Sequence, residues 1–170
     1  MHVGERMVRL DDDGLTLNPT LPAVDVHDDV YAYDFVPLAL PAVDGHELSL
    51  SLYALPGHPA AYEAIDRMWR GIDVLVFVAD SRPGAMAANV DSWRRYEANP
   101  WFSPSTEVVM LANRRDADDA VAAEELAGSI GWTGSVFESV ASRGVGMEEA
   151  MGVVVDAVTR RARERVASAQ

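Results

Sequence analysis

From about residue 31 the hydrophobic and polar positions switch between two periods, and the switches mark out the elements. Tyr31-Ala32-Tyr33-Asp34-Phe35-Val36-Pro37-Leu38 and His46-Glu47-Leu48-Ser49-Leu50-Ser51-Leu52-Tyr53 flank Val43-Asp44-Gly45, and the second run alternates strictly. A period of two predicts an antiparallel pair of strands. Leu55-Pro56-Gly57-His58-Pro59 breaks the chain, after which Tyr62, Ile65, Met68 and Trp69 recur at helical spacing up to Gly71. Val74 to Ala79 is an unbroken apolar run ending at Asp80, which predicts a central strand covered on both faces of a parallel sheet. Helical spacing returns with Met86, Val90, Trp93 and Glu97. Pro100 and Pro104 then open a loop before a strand over Glu107 to Ala112. A helix over Ala120 to Ile130, a strand over Ser135 to Val140 and a last helix from Met147 to about Val166 complete the order.

From residue 46 the elements alternate β-α-β-α-β-α-β-α, so the expected fold is a three-layer α/β one, a mostly parallel sheet with helices on both faces. One domain over 1–170 is expected, with an irregular stretch over 1–30 and the core over 31–170. In the irregular stretch, Asp13-Gly14 suits a tight turn between Met7-Val8-Arg9-Leu10 and Leu15-Thr16-Leu17, a short hairpin.

Composition narrows the chemistry. There is no cysteine, which excludes disulfides, thiol nucleophiles and Cys-ligated metals. The formal charge of −13 repels phosphate backbones, so nucleic-acid binding is not expected. All 14 basic residues are arginine. No Schiff base can form without lysine, and no lysine is at hand for the terminal phosphates of a nucleotide. No apolar run approaches the ~20 residues that cross a bilayer, and Met1 to Arg6 lacks the apolar core of a signal peptide, so a cytoplasmic location is expected. The four histidines show no metal-ligand spacing, and Asp11-Asp12-Asp13 has no glutamate at calcium-loop spacing, which leaves it a solvated turn. Arg160, Arg161, Arg163 and Arg165 are read as a solvated helix end.

In an open parallel sheet ligands bind beyond the carboxyl ends of the strands, so the loops after Tyr53, Ala79, Ala112 and Val140 should share one edge. The third reads Asn113-Arg114-Arg115-Asp116. There Asn113 could tie loops together while the Asp116 carboxylate accepts two donors from a guanine edge. The alternative is that both residues cap the turn and the following helix.

These stretches, in their order and separations, resemble a Ras-like small GTPase of the bacterial gliding-motility (MglA) type from about residue 14 to the end. The resemblance is carried by Tyr33 to Leu38, Tyr53-Ala54-Leu55-Pro56-Gly57-His58, Arg70 to Ser81, Asn113 to Asp116 and Val136 to Gly146. It implies a nucleotide site in which Asn113 and Asp116 read guanine, Arg114 stands where lysine is usual, Ala141 and Ser142 lie in the loop contacting the base, and Gly57 stands at the glycine sensing the terminal phosphate. The chain departs from the family in four places. It has no Gly-x-x-x-x-Gly-Lys-Ser/Thr loop, and the first strand and first helix that flank that loop are missing too. Ala54 stands where many Ras-like relatives have a magnesium-linked aspartate, a position at which the gliding-motility type also departs, and His58 stands where glutamine usually orients water. Asp28 and Asp29 fall where the type carries a catalytic arginine, and a carboxylate there opposes charge building on phosphate.

The resemblance therefore implies a degenerate GTPase, with no catalytic residue, no metal and no cofactor, that works as a protein-interaction module. Its switch-like surface would comprise Asp28, Asp29, Tyr31, Tyr33, Phe35, His58, Tyr62, Met68 and Trp69. The implied partner is a roadblock-fold regulator or an intact GTPase, in an oligomer or complex. Two alternatives stand beside it. One is an active GTPase, binding GTP or GDP with Mg²⁺, whose P-loop-bearing amino terminus is absent from this chain. The other is a weak guanine-nucleotide sensor using the base clamp alone.

Overall fold

The protein is described from a computed structural model, which places residues 24–26, 29–31, 34–54, 71–100, 102–103 and 105–168. The hairpin expected over 7–17 and the helix expected over 62–71 lie outside the described residues. Among those described, the strands and helices group into two compact units, one holding Asp73–Ala157 and the other holding the strands between 24 and 54 together with the last helix from residue 158 onward.

In the latter, β1 (Val24–Val26) and β2 (Asp29–Tyr31) pair antiparallel, a short ladder at the end of the stretch expected to be irregular, as do β3 (Asp34–Val43) and β4 (His46–Ala54). The β3–β4 pair is the ladder predicted from strict alternation. Val36 faces Leu52, Leu38 faces Leu50 and Leu40 faces Leu48, so one face of the ladder is aliphatic. Val36 and Leu50 are buried on it. β3 runs past the expected end at Leu38. It does so by slipping register between Leu40 and Val43, where Pro41 cannot donate to a ladder. Asp44 and Gly45 then turn the chain with φ of 51° and 82°. That pair of left-handed residues matches strand twist in a two-residue hairpin.

The larger unit is built on a parallel sheet of β5 (Val74–Asp80), β6 (Glu107–Asn113) and β7 (Val136–Glu138), in the order β5-β6-β7. Register is fixed by Phe77 against Met110, Ala79 against Ala112 and Asp80 against Asn113. Helices α1 (Met86–Glu97) and α2 (Ala123–Ile130) pack on it, and α3 (Met147–Ser168) follows β7 in the chain. One sheet face carries Phe77, Ala79, Met110 and Ala112, packed with Trp93 of α1 and Leu126, Ala127 and Ile130 of α2. Trp93 meets Phe77 and Trp132 edge to face at 5.2 and 5.4 Å, the favoured geometry for ring quadrupoles. On α3, Ala150, Val154, Ala157 and Val158 form the buried stripe that a 3.6-residue period requires.

Three further expectations change. The strand enclosed on both faces is β6, with Val109, Met110, Leu111 and Ala112 all nearly inaccessible, whereas Val78 of β5 is 53% exposed. Among the described strands β5 pairs only with β6, which makes it an edge of the three-stranded sheet. A continuous apolar run cannot by itself distinguish the two positions. Second, α2 starts at Ala123 rather than Ala120, because the Val121 N–H donates to the Ser81 carbonyl and holds the preceding chain extended against the end of β5. Third, β7 is shorter than 135–140. After Glu138 the chain leaves the ladder, and Val140 bridges to Val145 around a tight turn over Ala141–Arg143. Gly146 closes that turn with φ of 74°, and a Cβ there would strike the Glu138 carbonyl.

Candidate functional site

The carboxyl ends of β5, β6 and β7 converge on one edge, as a parallel sheet dictates. Each ends on a polar residue that makes a specific contact.

β6 ends at Asn113, opposite Asp80. The Asn113 carbonyl accepts the Ser81 N–H at 2.9 Å, extending the ladder one step. Its side-chain oxygen turns the other way, accepting the Ala141 N–H at 3.0 Å and the Ser139 hydroxyl at 3.3 Å. Asn113 therefore ties the loop after β6 to the loop after β7. The two loops are also joined by the Arg115 N–H, which donates to the Ser139 carbonyl at 3.2 Å.

Beyond Asn113 the chain bends sharply. Arg114 has φ of 63°, uncommon for a residue with a side chain, and the Ala117 N–H closes the turn on the Arg114 carbonyl. The bend brings the Arg114 guanidinium to 3.3 Å from the Asp80 carboxylate. Asp80 is also gripped by Arg82, whose side chain reaches both carboxylate oxygens and whose backbone N–H adds a bond at 3.0 Å. The Arg82 side-chain bonds hold the Asp80 carboxyl below its ordinary value. Partial burial opposes this, while the Arg82 backbone bond and the charges of Arg82 and Arg114 add to the lowering. The Asp80 peptide is met from the other side by buried Asn89 of α1, whose amide accepts from the Asp80 N–H at 3.1 Å and donates to its carbonyl at 2.9 Å.

Arg115 points inward. Its guanidinium donates to the Val121 carbonyl just before α2. Its Nε stands 3.1 Å from a Glu138 oxygen without the alignment of a hydrogen bond, so the contact is an ion pair and no more. Asp116 is exposed at the loop's outer end, and Arg143, from the turn after β7, places a guanidinium nitrogen 3.3 Å from its carboxylate.

Of the residues singled out from sequence, Asn113, Arg114, Asp116, Ala141 and Ser142 are thus brought to one edge. The capping alternative is not what the geometry shows. Asn113 spends its side-chain oxygen on the Ser139–Ala141 loop, and α2 is preceded by Ala122 with no side-chain cap. Gly57, Asp28, Tyr33, His58, Tyr62, Met68 and Trp69 lie outside the described residues, and for Asp29, Tyr31 and Phe35 only the strand backbone is described. Sequence reasoning missed Asp80, Arg82, Asn89 and Arg143, whose partners are distant in sequence or set by loop geometry. A carboxylate two residues before an arginine at a strand end was the one local signal.

The chain is 30% identical over 132 residues to the mutual gliding-motility protein MglA of Myxococcus xanthus (strain DK1622), a match covering 74% of this chain and 67% of that protein. This chain belongs to the MglA family. It is therefore a relative of the Ras-like GTPases, and its parallel sheet flanked by helices agrees with that relationship. No protein-family model matches the chain. Among the described residues no helix of this MglA relative is long and apolar enough to cross a membrane. None of its described acidic or histidine side chains group as a metal site.

Proposed function

We propose that this member of the MglA family is a regulatory module that keeps the guanine-reading corner of the fold and acts by contacting protein partners, without hydrolysing GTP. The observation that carries the reading is the Asn113 side chain. By bonding Ala141 and Ser139 it holds the Asn113–Asp116 loop and the Ala141–Ser142 loop side by side. Asp116 then presents an acceptor pair to the N1–H and 2-amino donors of guanine, while the Ala141–Ser142 backbone flanks the base.

The proposed lack of hydrolysis is supported by chemistry. Phosphoryl transfer needs backbone donors, a cation and a metal-binding hydroxyl around the phosphates, and these 170 residues hold no lysine and no Gly-x-x-x-x-Gly-Lys stretch. A base clamp alone binds weakly, so the proposed work of the protein lies in its surface. The stretches resembling the switches, roughly Val24 to Phe35 and Gly57 to Trp69, are where a roadblock-fold regulator or an intact GTPase would dock, and a signalling role follows. The relative is named for gliding motility; no process is assigned to this chain.

The test is the binding of GDP and GTP to the 170-residue chain with and without Mg²⁺, alongside phosphate release. Weak binding that ignores Mg²⁺ and disappears in Asp116→Ala, with no phosphate released, is the expected result. Tight Mg²⁺-dependent binding with turnover would overturn the proposal.

A further inference from the structure

The carboxylate assigned above to guanine already has an internal partner. Arg143 extends from the turn after β7 and places Nη2 3.3 Å from Asp116 Oδ2. Chemically this partner is the ligand in miniature. The N1–H and 2-amino group of guanine, with the carbon between them, form a guanidine unit. The Arg143 head group carries the same planar array of N–H donors with a full positive charge added, and one of its nitrogens meets Asp116 as an ion pair. The turn that carries it is fixed by the fold. Val140 and Val145 bridge across its base, the Arg143 N–H bonds the Val140 carbonyl at 2.9 Å, and Gly144 takes a left-handed φ of 70°. The two cations of the motif are directed elsewhere, Arg114 to Asp80 and Arg115 to Glu138 and the Val121 carbonyl.

We propose that Arg143 is an internal guanine mimic that occupies Asp116 when no base is bound, so that guanine enters only by displacing it. This rests on the reading of Asp116 as the base acceptor, and it deepens that reading into a control on the site. The Arg143 side chain is 68% exposed and that of Asp116 32%, so the pair opens at modest cost and sets a threshold rather than a block. Competition of this kind lowers apparent affinity by the fraction of time the carboxylate is taken. A protein contact that draws Arg143 away would open the site.

Guanosine is the probe, because it carries no phosphate to interact with arginine. Its affinity is measured by titration for wild type, Arg143→Ala, Asp116→Ala and the double variant, each checked for unchanged fold by circular dichroism. Arg143→Ala is expected to bind about three- to five-fold tighter than wild type, the range an exposed ion pair allows. Added salt should tighten binding to wild type and leave Arg143→Ala unchanged. Both variants that lack Asp116 should bind least. Equal or weaker binding by Arg143→Ala, with Asp116→Ala still impaired, overturns the mimic and leaves the base site standing. If Asp116→Ala binds as well as wild type, the base assignment falls and the mimic with it.

Discussion

Asp80 closes an otherwise apolar strand, and its cost there is offset by partners from three directions. Arg82 supplies side-chain and backbone donors, Arg114 a second cation, and Asn89 satisfies the peptide itself. The Asp80 carboxyl is lowered from its ordinary value of 3.8, chiefly by the Arg82 side-chain bonds. A depressed carboxylate stabilises the folded state above its unfolded value, and that stability is lost as pH falls through the folded one. The stability gap between wild type and Asp80→Asn should therefore be flat near neutrality, at about 1 kcal/mol for a partly exposed pair. It should shrink only below about pH 4, and in an Arg82→Ala background it should already be small at pH 7. Urea titrations across that range check it; a gap that grows on acidification would show the sign to be wrong.

At the scale of the element, β5 and β6 are both apolar runs of similar length, yet the sheet uses them differently. β6 is enclosed on both faces, while β5 packs one face on α1 and α2 and leaves Val78 half open. Neighbouring positions on β5 should thus differ sharply. Phe77→Ala removes a ring held against Trp93 and Tyr96 and is expected to cost about 3–5 kcal/mol. Val78→Thr, one residue on, should stay within about 0.5 kcal/mol of wild type. Denaturant unfolding of the two variants settles the matter, and equal costs would mean that Val78 is covered in solution.

For the whole molecule the governing quantity is the charge of −13. Arginines that would moderate it locally are already engaged: Arg82 and Arg114 with Asp80, Arg115 with Glu138, and Arg143 with Asp116. Excess acidic charge repels itself across the fold, and salt screens that repulsion over a Debye length of about 10 Å at 0.1 M. The melting temperature should rise by a few degrees between about 0.02 and 0.2 M sodium chloride, beyond what screening of ion pairs such as these removes. A falling melting temperature would mean that the ion pairs outweigh the repulsion. The same field favours a partner with a basic face, and association with it should weaken over the same salt range.

Local periodicity and punctuation determined the order of the described elements from β3 onward, the antiparallel ladder around Asp44-Gly45, the parallel class of sheet, and the placing of Asn113 to Asp116 at a strand's carboxyl end. Each depends on residues within a few positions of one another, so each is written into the chain. What the tertiary structure alone decided is which apolar strand is enclosed, where α2 begins, and which groups meet at the sheet edge. Asn113 bonds the Ser139–Ala141 loop, Arg114 turns to Asp80 and Arg143 covers Asp116 because three parallel strands end side by side. Those encounters join residues far apart in sequence, and no period along the chain encodes them.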